Sequence, residues 1–96
     1  MIRVVKLSFE QNYIDDFKHF FETRKELIKN FEGCTHLELW QDHDNPCIFF
    51  TYSHWNDVTN LDTYRSSKLF QETWAIVKQW FSQKPEAFSA NQLIEV

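Results

Sequence analysis

Arg24 is the residue whose type and position most invite chemistry. At about 100° per residue, the segment after Asn12 gathers Ile14, Phe17, Phe20, Phe21, Leu27, Ile28 and Phe31 on one side of a helix, and Arg24 falls in the middle of them. Every other charged residue of that segment lies off this side or at its edge. Holding a guanidinium under an apolar face is unfavourable unless something answers its charge. One reading is an arginine directed at an anion or a carbonyl oxygen in a pocket between helix and sheet. The other is structural: the side chain snorkels to solvent or pairs with a carboxylate.

A second group of candidates lies between residues 64 and 80. Tyr64 and Arg65 fall at a break between two helical segments, and breaks of this kind often border a cavity mouth. Leu69, Phe70, Thr73, Trp74, Val77, Trp80 and Phe81 share a broad face of the second segment. Such a stripe serves a core, but Phe70, Trp74 and Trp80 can also wall a flat aromatic pocket. A third group, His36, Glu38 and His54, puts imidazoles beside a carboxylate. That pairing suits a general base or a polar network at an interface.

Several layouts are missing. Gly33 is the only glycine, so there is no glycine-rich phosphate loop for a dinucleotide or nucleotide cofactor. No His/Cys/Asp spacing points to zinc, and no serine nucleophile motif appears. The sequence thus predicts no cofactor and no metal.

The elements that must position these residues follow from the local pattern. Ile2 to Phe9 alternates and is a strand. Asn12 is an available N-cap for a helix to about Asn30, with Asp15 and Asp16 favourable in its first turn. Gly33 stops the helix or makes the turn after it. Thr35 to Gln41 and Cys47 to His54 form a hairpin about Asp42-His-Asp-Asn-Pro46. Asn56 can cap a short helix, a longer helix runs from about Ser66 to Phe81, and Phe88 to Val96 is the last strand. The order β-α-β-β-α-β predicts an α+β fold of ferredoxin-like, split β-α-β type, an antiparallel sheet with helices on one face.

The hairpin raises a problem of coverage. Leu37, Leu39, Cys47 and Phe49 share one face, assigned to the helices. His36, Glu38, Trp40, Ile48, Phe50, Tyr52 and His54 share the other. A solvated sheet face alternates cleanly with polar residues, and this one does not. His36, Glu38, Trp40, Phe50 and Tyr52 therefore predict a face packed on the sheet of an identical subunit.

Composition agrees with this. The 96 residues make one domain, 1–96, yet they include 10 Phe, 4 Trp and 3 Tyr, more aromatic surface than so small a core needs. The excess predicts a pocket, an interface or both. A net charge of −4 without a basic run argues against nucleic acid. No apolar run approaches the roughly 20 residues of a membrane span. Two cysteines on opposite sides of the turn, too far apart to bridge, and an N-terminus without a signal-peptide layout predict a cytoplasmic protein.

Taken together, Gly33-Cys34 opening the second strand, Trp55 just after the third, and Tyr64-Arg65-x-Ser67-x-x-Phe70-x-x-x-Trp74 resemble the antibiotic biosynthesis monooxygenase family. The likeness covers nearly the whole chain and implies a dimeric α/β barrel. Members of known activity often oxygenate electron-rich polyphenols such as anthrones without flavin or metal; the substrate's own anion reacts with dioxygen. For this chain the resemblance implies a cofactor-independent monooxygenase of a small aromatic or quinol-like substrate. In it Arg24 would stabilise negative charge, and Tyr64, Phe70, Trp74 and Trp80 would shape the pocket. One branch degrades haem through a histidine on the long helix. Trp74 stands at that position here, and indole is no substitute for an imidazole ligand. The alternative is a non-catalytic small-molecule-binding or stress-response domain whose aromatics close a dimer.

Overall fold

A computed structural model describes all residues, 1–96. Four strands, β1 (Ile2–Ser8), β2 (Cys34–Gln41), β3 (Ile48–Trp55) and β4 (Glu86–Ala90), form one antiparallel sheet in the order β2-β3-β1-β4. Three helices, α1 (Ile14–Lys29), α2 (Val58–Ser66) and α3 (Lys68–Val77), complete an α+β ferredoxin-like fold.

The sheet faces divide as the alternation requires. Leu7 on β1 and Phe49 on β3 are register partners and both are buried, with Phe9 and Phe17, beneath the helices. Phe9 stacks on Phe17 at 4.3 Å and meets Phe49 edge-on at 5.8 Å. A second buried group, Cys34, Trp55 and Leu61, gathers Phe31 and Tyr64 at the opposite end. The helix-facing residues Val5, Thr51 and Ser53 lie between these two clusters along the sheet.

Turn chemistry accounts for the connections. Gly33 has φ +88°, and a Cβ there would lie 2.3 Å from Asn60 Cγ. Only glycine therefore permits this left-handed turn to press against α2. At the hairpin tip, Asp42 accepts hydrogen bonds from the backbone N–H of Asp44 and Asn45, at 3.1 and 2.9 Å. Ser67 ends α2 and caps α3: its hydroxyl accepts from Phe70 N–H at 3.1 Å.

Several boundaries differ from the sequence reading. Asn12 lies in a 3-10 turn before α1 and does not cap the helix. Asp57, not Asn56, caps α2. The long helix ends at Val77 and passes into a 3-10 turn over Lys78–Trp80. Leu27 is exposed, since it lies about 80° around α1 from the buried Phe17. The last strand covers Glu86–Ala90 rather than 88–96, because Ala90 already pairs with Ile2, where β1 begins. Cys34 pairs with Trp55, and a bulge before His36 keeps the hairpin faces as expected. No helix is long and apolar enough to cross a membrane.

Candidate active site

Helices and sheet do not close fully on one another. They leave a cavity of about 340 Å³ between the two buried clusters, within the usual range of small-molecule sites. Phe17, Leu7 and Val77 bound it at one end; Trp55, Leu61 and Tyr64 bound it at the other. Most of the wall is apolar, so polar groups inside it act in a medium that screens poorly.

α1 brings Arg24 to this cavity one helical turn from Phe20, with the guanidinium carbon 5.0 Å from the ring centroid. The aromatic face partly answers the cation. None of the ion pairs in the chain involves Arg24, which removes the carboxylate-paired reading of this residue. Arg3 on β1 and Arg65 at the end of α2 line the same cavity, also without ion pairs, and no Asp or Glu belongs to the lining.

The break between α2 and α3 places the aromatic wall. Tyr64 stacks on Trp55 at 5.1 Å and meets Phe31 and Phe70 edge-on, at 5.2 and 5.3 Å. Burial pushes its phenol well above the ordinary tyrosine range, with Cys34 adding a smaller push the same way, so Tyr64 is a neutral hydroxyl and not a base. Phe70 and Trp74 stack one turn apart at 5.6 Å, nearly parallel at 13°. Thr73, between them, has a buried hydroxyl with no partner. Thr23 and Thr63 bond back to carbonyls of their own helices, at 2.6 and 2.9 Å; Thr73 does not.

An apolar cavity with an arginine on α1 that has no carboxylate partner, and a Tyr-Phe-Trp wall at a helix break, repeats the pattern noted in the sequence. A family model described as antibiotic biosynthesis monooxygenase matches residues 1–76. The chain belongs to the antibiotic biosynthesis monooxygenase family. Among solved structures, a conserved protein of Methanosarcina mazei Go1 is 25% identical with a TM-score of 0.84, over 91% of this chain and 87% of that one. A structure described as an antibiotic biosynthesis monooxygenase has a TM-score of 0.89 at 17% identity, over 98% and 100% of the two chains. Rv0793 of Mycobacterium tuberculosis has a TM-score of 0.88 at 13% identity, over 98% and 95%. The last two show a shared fold. No curated protein matches the chain.

In this family member, Arg24, Tyr64, Phe70 and Trp74 come together around one cavity, and Trp80 does not. The 3-10 turn rotates Trp80 onto Tyr13, 6.0 Å away, and edge-on to Phe20 at 5.9 Å, outside the lining. The sequence reading passed over Arg3. Its signal was the alternation Arg3, Val5, Leu7, which puts the guanidinium on the helix-facing side of β1.

His36, Glu38, Trp40, Phe50 and Tyr52 lie on the other face of the sheet. His36 donates to one oxygen of Glu38, and Trp40 Nε1 donates to the other at 2.8 Å. These two bonds hold the Glu38 carboxyl below its usual range. Tyr52 stacks on Trp40 at 4.8 Å and shares a 2.7 Å hydrogen bond with His54. The polar groups of this face answer one another.

Proposed function

We propose that this protein is a cofactor-independent monooxygenase of a small quinol-like aromatic substrate, bound in the cavity between helices and sheet. The observation behind this reading is Arg24: a half-buried cation on a cavity large enough for a ring system, with no carboxylate partner. A bound quinol that loses a proton becomes an electron-rich anion, and Arg24 stabilises its oxygen. That anion gives electrons to dioxygen. One oxygen atom becomes a new carbonyl of the ring and the other leaves as water, taking up the two remaining hydrogens. The quinol supplies every electron, so the balance needs no outside reductant. Phe70, Trp74 and Trp55 hold the ring and exclude water. Thr73 gives the substrate a hydrogen-bonding partner.

The open face supports a homodimer. Trp40 and Phe88 are 41% and 56% exposed, and Phe50, Tyr52, Val4 and Ile2 complete an aromatic and aliphatic surface across all four strands. A second copy would cover this face and leave the cavity on the outside of the sandwich. The two unpaired cysteines fit a reducing compartment, which supports the cytoplasm as the place of work.

An oxygen electrode tests the activity, with anaerobically prepared hydroquinones as substrates. One dioxygen is consumed per quinol, and Arg24→Leu lowers the rate by about 10²–10³-fold. A wild-type protein that takes up no oxygen with any quinol, while still binding them, is a binding domain and not an oxygenase.

A further inference from the structure

Arg24 is one of three cations on the cavity, and a single phenolate answers only one. Arg3 and Arg65 reach the lining from different elements, β1 and α2. Arg3 donates to Ser89 Oγ at 2.9 Å, which fixes its side chain against β4 without neutralising it. Burial and the neighbouring charge of Arg65 lower the Arg3 pKa, and Asp62 offsets this only in part. Asp62 is exposed and lies outside ion-pair distance of both arginines. Two like charges brought to one cavity repel each other, and the fold pairs no carboxylate with either. A guanidinium stays protonated in a protein, so the repulsion stands until an anion enters. Thr73, whose buried hydroxyl has no hydrogen-bond partner, lines the same cavity.

We propose that the substrate is an aromatic acid, whose ring carries a carboxylate that docks between Arg3 and Arg65 while its ring oxygen faces Arg24. The planar fork of an arginine matches a carboxylate, and a charge-assisted pair is stronger than a neutral hydrogen bond. The inference rests on reading the cavity as the substrate site, and it narrows the substrate from quinols to quinols bearing an acid. It also gives Arg3 and Arg65 a role in choosing substrate rather than in the oxygen chemistry.

The test is anaerobic binding, followed by quenching of tryptophan fluorescence, with gentisate, its neutral amide gentisamide, and a fused two-ring pair of the same design. The wild type binds at least one acid about tenfold or more tightly than its amide, the preference of a site with charge-assisted partners. Rising salt weakens acid binding and leaves amide binding unchanged. Arg65→Gln, at the exposed end of α2, and Arg3→Gln each cut the acid-to-amide ratio, and together they bring it near unity. Equal affinity of acid and amide in both ring sizes, or a ratio that survives both substitutions, overturns the proposal. Tighter binding of phenyl phosphate than of either acid overturns the carboxylate assignment. Binding is read without oxygen, so the two readings fail separately. Acid selectivity without oxygen uptake removes the oxygenase, and oxygen uptake without acid selectivity removes the carboxylate subsite.

Discussion

On the helix-covered face of the sheet, Arg3, Arg24 and Arg65 surround a cavity and none has a carboxylate partner. On the open face, His36, Glu38, Trp40, Tyr52 and His54 bond to and stack on one another. Both faces mix aromatic rings with ionisable groups, so composition does not tell them apart. Satisfaction does. Polar groups that already have partners stabilise a surface and have little left to offer a ligand. Groups left unanswered in an apolar wall keep their interaction energy for something that arrives later.

Adjacent residues on β3 sharpen the contrast most. Phe49 is 1% exposed under the helices, while Phe50 faces the open side. Phe49→Ala should cost about 3–5 kcal/mol in urea denaturation, independent of protein concentration. If the open face is the homodimer interface proposed above, the loss from Phe50→Ala should grow with protein concentration. Equal, concentration-independent losses would break the assignment of the open face to an interface.

The next effect is alkaline. Burial raises the Tyr64 phenol, so folding favours its neutral form. The raised value leaves stability untouched below the unfolded tyrosine value of about 10 and erodes it above, by about 1.4 kcal/mol per pH unit until the folded group ionises. Tyr64→Phe should flatten that alkaline slope in thermal melts, and an unchanged slope would place Tyr64 in a wetter site.

Much of this was legible in the sequence. The β-branched run of β1, the turn residues at 42–46 and the single glycine set the order of elements, because extended segments punctuated by turn residues and a positive φ leave few alternatives. Arg24 was legible because it interrupts a helical stripe. Arg3 was not, because one arginine in a short strand reads as an edge residue until its partners Ser53 and Ser89 are placed beside it. Trp80 was misplaced because its spacing continues the α3 stripe, whereas the helix tightens into a 3-10 turn after Val77. Whether the Thr73 hydroxyl is satisfied depends on its rotamer, which no spacing reveals.

Thr73→Val tests the unanswered side on a smaller scale. Removing an unpaired buried hydroxyl should leave stability unchanged or raise it by up to about 1 kcal/mol, with weaker quinol binding. A loss of stability would mean that the hydroxyl already has a structural partner. The smallest effect belongs to the answered side. The Glu38 carboxyl is held low by His36 and Trp40, so its contribution is present above the ordinary glutamate value and lost as pH falls through the folded one. Glu38→Gln should flatten the acid limb of the stability profile below about pH 4 and leave quinol binding unchanged. Impaired quinol binding would join the two faces functionally.

The most direct measurement compares oxygen uptake and unfolding free energy for the wild type and Arg24→Leu, side by side. The variant should lose about 10²–10³-fold in uptake rate and lose no stability, because no carboxylate is left unpaired. A drop of about 3–5 kcal/mol in stability would reveal a structural ion pair, and full activity would show that the cavity does not use its arginine.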